Sequence, residues 1–363
     1  MKKLKSFTVH LIAMVNLAVV GVMLFVGYSD RINPAYHPML ACVGMAFPVL
    51  LLLNLLFLFF WLTVKWRKAW IPIVGYLLAC VPINIFMPLN IHADTTPGAL
   101  KLISYNVCTY GGNYKYDDGF ETVLGYLAEQ QADIVCIQED NDTWRRYVFQ
   151  RYEAYYPYND TTRVSVSEKV PNYVGLHSRF PIIRKERIEY ESRCNGSVAY
   201  YLDLGTDTLL VINNHLESTH LNAADRSNYQ TMLRGNMGRD TVRTESKALL
   251  HKLANAMTIR APQAEAVSQY IRAHSHYPII VCGDFNDTPI SYARRTIGQG
   301  LTDCFQAAGL GVGLSYNQKG FNFRIDHIFC SSNITPQKCI VDSKMDASDH
   351  YPMVCWLKMS DKP

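Results

Sequence analysis

The feature that most restricts this chain is the apolar character of its first 90 residues. Three stretches there reach bilayer length, about Phe7 to Tyr28, Met39 to Leu62 and Ala69 to Leu89. Roughly 20 apolar residues in a helix cross the hydrocarbon layer of a membrane. The middle stretch is the clearest: residues 47–62 read FPVLLLLNLLFLFFWL, with Asn54 as the one polar side chain. The first follows MKKLKS as a signal peptide does, but no small-x-small cleavage site is evident and two more stretches follow, so an uncleaved span is preferred. The third carries Pro72, Pro82 and Asn84 and is the weakest; the competing reading is a buried or interfacial helix. Residues 1–90 are therefore expected to be an all-α transmembrane region with three helices, whose partner is the lipid bilayer.

Charge orients these helices. Lys2, Lys3 and Lys5 precede the first stretch, and Lys65, Arg67 and Lys68 lie between the second and third. The SDRINPAYHP loop between the first two holds only Asp30 and Arg31. Because basic loops stay in the cytoplasm, three spans leave the remainder on the extracytoplasmic side. If the third stretch does not cross, the remainder returns to the cytoplasm. Of the chain's net +4, residues 1–88 carry +6, so the remainder is at −2. Such a balance gives no footprint for non-specific polyanion binding, so nucleic acid is admitted as a substrate but not favoured. No feature calls for an obligate protein partner.

Residues 91–98 read as a linker, and 99–363 as one domain long enough for a substantial core. KLISYNV, ADIVCIQE, TLLVINNH, PIIVCGD, FRIDHIFC and YPMVCWL have the β-branched, apolar character of strands. Helical spacing marks 120–131, 246–258 and 261–274, whereas 217–245 reads as a polar loop or irregular arm. Strand and helix in alternation predict a layered α/β fold. The ten cysteines form no CxxC pair, and most read as small buried hydrophobes; a Cys330–Cys339 bridge is left open.

Polar residues gather at strand ends. Asn106 follows LISY, Glu139 follows DIVCIQ, Asn213 and His215 close LLVINNH, Asp284 and Asn286 follow IIVCG, and Asp349 and His350 precede YPMVCW. Singly each reads as a turn or cap residue. Their recurrence points to one shared site, because polar groups at the mouths of core strands are costly unless satisfied. Carboxylates and amide oxygens suit a hard cation such as Mg²⁺, with Mn²⁺ as its alternative.

The words SYNV, IQE, NNHLES, GDFNDTP, FRIDHIF and SDHYPM, in that order over residues 104–353, resemble the endonuclease/exonuclease/phosphatase (DNase I-like) superfamily. The resemblance implies a four-layer α/β sandwich. It implies metal ligation by Asn106, Glu139, Asp284 and Asp349, and phosphate binding by Asn213 and Asn286. His215, Asp284, Asn286, Asp326 and His350 would form the catalytic set, with Asp326 fixing the tautomer of His350. His327 is read as a packing neighbour, and Arg324 as more structural than catalytic. Arg226, Arg234, Arg239 and Arg243 are either substrate contacts or a solvated face. The functional expectation is a membrane-anchored, divalent-metal-dependent hydrolase of phosphate esters, acting on lipid headgroups or nucleotides. An extracytoplasmic nuclease and a catalytically silent binding module are the alternatives.

Overall fold

The protein's structure, a computed structural model, describes residues 2–91, 95–111, 119–141, 145–165, 171–318 and 321–360; part of the expected linker, 92–94, lies outside them. Ser6–Arg31 and Pro38–Val64 are long and apolar enough to cross a membrane; their main helices are Lys2–Gly27 (α1) and Phe47–Val64 (α2). Apolar side chains such as Phe7, Leu52, Leu56 and Phe59 stand exposed along them. The third stretch is bent by 62° between Trp66–Leu78 and Cys80–Phe86, whose regular α-helices are Trp70–Leu78 (α3) and Cys80–Phe86 (α4). Pro82 has no N–H to return to the Leu78 carbonyl, and the Tyr28 hydroxyl donates to that carbonyl instead, at 2.8 Å. Asn54 is fully buried: it donates to the Pro72 carbonyl and accepts from Asn16, which in turn accepts from the Trp61 indole. Polar pairing of this kind holds helices together where apolar burial offers no driving force.

The remainder is built on two six-stranded sheets. In chain order the strands are β1 (Leu100–Asn106), β2 (Ile134–Asp140), β3 (Tyr158–Arg163), β4 (Tyr173–Ser178), β5 (Ile182–Ile188), β6 (Gly196–Asp203) and β7 (Thr208–His215). There follow β8 (Ile279–Asp284), β9 (Thr302–Asp303), β10 (Tyr316–Gln318), β11 (Phe321–Phe323), β12 (Asp326–Cys330), β13 (Ile334–Val341) and β14 (Met353–Met359). One sheet runs β13-β14-β1-β2-β4-β3 and the other β5-β6-β7-β8-β12-β9, with β10 and β11 as a separate hairpin. Among the described residues only the central pairs β1–β2 and β7–β8 are parallel.

Strand alternation assigns the layers. Leu102, Cys136, Val211, Ile280, Cys282 and Cys355 face one another between the sheets. On the outer face of the first sheet, Ile103, Val135 and Ile137 pack on Val123, Leu124 and Leu127 of helix α5 (Gly119–Gln130). On the other, Leu210, Ile212, Ile279 and Val281 pack on Ala264, Val267 and Ile271. This is a four-layer α/β sandwich. All ten cysteines are free thiols, so no bridge joins Cys330 to Cys339.

Two sequence expectations change. The arm at 217–245 is largely helical: Ala223–Leu233 (α6) starts on a capping box in which Asn222 and Asp225 satisfy each other's backbone N–H groups. The two helices expected at 246–258 and 261–274 are one, Arg239–Ala273 (α7), which runs through Pro262. Buried Arg260 and Gln263 flank that proline and bind the Glu217 carbonyl and Glu191 carbonyl respectively. These anchors hold the helix across a residue that costs ~3 kcal/mol in a helix interior.

The N-terminal apolar helices are docked on the sandwich. In the loop between α1 and α2, Asn33 donates to Glu265 and to the Tyr292 hydroxyl at 3.2 and 3.1 Å, and Asp30 pairs with Arg295 at 3.6 Å. Buried Arg324 donates to the Ile85 carbonyl at the end of α4 and to the Val312 carbonyl, the structural role expected of it. Gly44 lies so close to the Ile290 backbone that a Cβ there would stand 2.2 Å from its carbonyl oxygen. Gly44→Val is therefore expected to pry the loop from the sandwich, costing roughly 1–3 kcal/mol as overpacking does. Hydrogen exchange in the full chain should speed up at 28–46 and 287–295 together; unchanged protection there would refute the docking.

Candidate active site

The strands that form the inter-sheet core end in polar residues at one edge of the sandwich. Along β7 the inward positions run Leu209, Val211, Asn213, His215; along β8 they run Ile280, Cys282, Asp284. Asp284 is in register with His215 on one side and Asp326 on the other, so the three form a row across adjacent strands. Gly283 permits the row: its φ is +128°, and a Cβ would sit 2.0 Å from the Asn214 carbonyl oxygen. From the facing sheet, Asn106 closes β1 beside Gln138.

Glu139 breaks the alternation. Strict pleating would turn it to the outer layer with Ile137. A register shift between Gln138 and Asp140 and a left-handed φ of 53° at Glu139 bring it inward, the re-aiming that bulges achieve. Left-handed backbone at a non-glycine residue is costly and gathers at functional sites; Asn286, at φ 52°, is a second case.

The side chains converge. Asn106 donates to Glu139 and to Asp284, both at 3.1 Å. The Nε2 atoms of His215 and His350 stand 3.7 and 3.6 Å from the same Asp284 oxygen, and His215 is 3.8 Å from Glu139. His350 holds Asp326 through Nδ1 at 2.8 Å, which leaves Nε2 facing Asp284. Among the described residues His215 Nε2 is buried without a hydrogen-bond partner.

The two histidines are pushed apart electrostatically. Burial lowers the pKa of His215, with Asp284 opposing. Asn172 Nδ2 lies 3.2 Å from His215 Nδ1; as a donor it requires an accepting Nδ1, so the neutral ring carries its proton on Nε2. Burial would also lower His350, but Asp326 and Asp284 outweigh it and hold its pKa well above the ordinary value. Asp284 is pushed up to about 6, first by burial, with His350 opposing and Asp326 adding. Burial raises Glu139, and Asp349 raises it further.

A hard cation fits this donor set. Glu139 is one-third exposed and lines the same cleft as Asp284 and Asp349, with carboxylate oxygens and no thiolate among them. Asp284, Asp326 and His350 also lie within 4.8 Å of one another, but Asp326 is spent on His350.

Two implied roles need correcting. Asn213 lies one inward step deeper than His215 and is fully buried. Its nitrogen donates to the Ile137 and Gly175 carbonyls, and its oxygen accepts from Gln138 at 2.6 Å. Nothing of it remains to bind phosphate; it bolts one sheet to the other. Asn106 presents nitrogen to the carboxylates while its oxygen accepts from the Cys108 N–H, so in this geometry it bridges them as a donor rather than ligating a cation. Asn286 lines the cleft with one amide hydrogen given to the Leu216 carbonyl. Sequence reasoning assigns no role to Asn172, which lies in no motif, or to Gln138, which lies inside IQE beside the more conspicuous Glu139. Of the four arm arginines only Arg226 lines the cleft; Arg234, Arg239 and Arg243 are exposed.

A family model described as the endonuclease/exonuclease/phosphatase family matches residues 103–350. The chain belongs to that family. Its members hydrolyse phosphate esters, typically with divalent metals. A second model, a domain of unknown function (DUF8431), covers residues 9–86 and so the N-terminal apolar helices. No curated protein matches the sequence. The human Nocturnin catalytic domain with bound sulfate is similar at 14% identity and TM-score 0.53, over 74% of this chain and 97% of that one. A family protein from Beutenbergia cavernae is similar at 15% and 0.53, over 73% and 72%. ANGEL2, a 2',3'-cyclic phosphatase, is similar at 13% and 0.51, over 74% and 98%. At these identities the likeness establishes the fold, the DNase I-like sandwich.

Asn213→Ala would strand two carbonyls and the Gln138 amide in the core, a loss of about 2–4 kcal/mol. The midpoint of thermal unfolding should fall while KM for a soluble phosphate ester stays near that of the parent; a raised KM with unchanged stability would restore the phosphate role. His327, packed on Phe285 and bonded to the Asp287 carbonyl, is held down to about 4 by burial. The unfolded chain binds that proton first, so stability is complete above pH ~6.5 and declines toward pH 4, by up to about 3 kcal/mol. A His327→Gln variant should flatten that part of the stability–pH curve.

Proposed function

We propose that this protein is a membrane-anchored, Mg²⁺- or Mn²⁺-dependent hydrolase of phosphate esters. The observation that carries the reading is the convergence of His215 Nε2 and His350 Nε2 on one oxygen of Asp284, beside Glu139. Glu139, Asp349 and Asp284 are the residues that would hold the cation. When bound, the ion supplies Lewis-acid polarisation of a phosphoryl oxygen and shields its charge from the nucleophile. Asp284 orients the attacking water and takes its proton. His215, neutral with hydrogen on Nε2, donates to a non-bridging oxygen.

His350, kept cationic by Asp326, gives a proton to the leaving oxygen. The new bond joins water oxygen to phosphorus, the bond to the leaving oxygen breaks, and Asp284 returns the proton to His350 across 3.6 Å. One water is consumed per ester cleaved. The balance holds for a monoester or a diester.

Charge and docking together support an extracytoplasmic catalytic part. The 28–46 loop and the end of α4 pack on the sandwich, while Lys65, Arg67 and Lys68 lie at the far end of α2. With the basic loop in the cytoplasm, the bent α3–α4 pair completes a third crossing and the catalytic part is extracytoplasmic.

The full chain in detergent should hydrolyse bis(4-nitrophenyl) phosphate or 4-nitrophenyl phosphate with Mg²⁺ and cease with EDTA. Asp284→Asn and His350→Gln should each lower kcat by roughly 10²–10⁴; full activity in EDTA would sink the metal role. Protease added to intact cells should trim the catalytic part and spare the 65–68 loop, and the opposite pattern would reverse the topology.

A further inference from the structure

The cleft above Asp284 has two chemically different walls. It holds about 630 Å³. One wall is Glu139, Asp284, Asp349 and His350; the other is Met45, Pro48 and Val49, at the start of a membrane helix, with Leu249, Leu253 and Met257 of α7. These apolar elements pack together, Met45 and Leu253 with Cys42 and Met257. A second groove, about 260 Å³, shares Met45, Pro48 and Phe323 with the cleft and continues to Phe86 and Leu314. The apolar surface thus extends from the catalytic carboxylates to two of the membrane-inserted helices.

No water-soluble phosphate ester needs such a wall. A bare nucleotide or inositol phosphate would leave it facing solvent, and a nucleic acid would ask for more than Arg226 and the Asp287-paired Arg260 in the cleft, beside a remainder of net charge −2. Val49 is 66% exposed on α2, so the cleft opens beside a helix long and apolar enough to cross a bilayer. Above it Tyr229 of α6 meets Phe321 with ring centroids 4.3 Å apart and forms a roof. Arg226, one turn earlier on α6, lines the cleft with no hydrogen bond or ion pair to its guanidinium among the described residues.

We propose, on the hydrolase reading above, that the substrate is a membrane lipid with a phosphate ester in its headgroup. It enters sideways from the leaflet, its acyl chain lies on Met45, Pro48, Val49, Leu249 and Leu253, and its headgroup meets Arg226 as the phosphorus reaches Asp284. The anchor is then one wall of the substrate site. The reaction remains addition of water to phosphorus with loss of one P–O ester bond.

The test uses two diesters with the same leaving group, ethyl 4-nitrophenyl phosphate and hexadecyl 4-nitrophenyl phosphate, and the full chain in nanodiscs with Mg²⁺. The hexadecyl ester should show a kcat/KM at least a hundredfold higher. Because partition into the disc alone favours it, the decisive quantity is the hexadecyl-to-ethyl ratio in variants. Leu249→Asn, and separately the exposed Val49→Asn, should each reduce that ratio at least about tenfold, the scale of one large apolar contact. A ratio unchanged in both variants, or a wild-type ratio near one, overturns the lipid inference and leaves the hydrolase reading intact. Failure of the wild type to cleave either ester beyond the Asp284→Asn background overturns the hydrolase reading and the lipid inference with it. Single-stranded DNA cleaved faster than the hexadecyl ester would replace the lipid with a polynucleotide.

Discussion

Everything at the site depends on how the two sheets are held against each other. Toward the site the layer between them carries a small polar bolt, where Gln138 donates to Asn213 and Asn213 donates to two carbonyls of the opposite sheet. A buried amide that loses its partners costs more than an apolar contact gains. The bolt therefore fixes both register and spacing. A one-residue slip of β7 would turn His215 outward, and a small slide between sheets would part Asn106 from Asp284. Beyond the bolt, the next inward positions on each strand reach the edge and become chemical groups.

At that edge identical side chains receive opposite instructions. Two imidazoles flank one carboxylate, and what stands behind each decides its state. An amide donor behind His215 leaves it neutral with hydrogen facing inward; a carboxylate behind His350 keeps it charged. Acid–base roles are separated in this way when neighbouring groups are given unlike surroundings.

How much of this the sequence displays varies residue by residue, for physical reasons. His215, Asp284 and Asp326 are legible because apolar alternation points them inward and then runs out of strand. Glu139 is not legible by alternation, since a bulge reverses its face; its place after DIVCIQ and its motif mark it. Asn213 misleads because it shares its face with His215 but lies two residues deeper, roughly 7 Å along the strand. Asn172 stands just before β4 and its partner is 43 residues away, a relation no local pattern encodes. The arm's polarity suggests a loop, although the Asn222–Asp225 box is a helix start in plain view. Pro262 suggests a break that tertiary anchors at Arg260 and Gln263 override. The third apolar stretch is bent where Pro82 withholds an N–H.

The contact of Gly44 with the Ile290 backbone has a practical side. Together with the Arg324–Ile85 bond it means that the first 90 residues are not an exchangeable tether. Cutting the chain near residue 95 would uncover the Met257 and Leu253 surface, take the Ile85 carbonyl from a buried guanidinium and remove part of the cleft. A shortened, water-soluble form would be a different object from the native one, prone to self-association and poorly suited to crystallography or ligand screening. Grafting the sandwich onto an unrelated transmembrane helix would restore its address but not its shape.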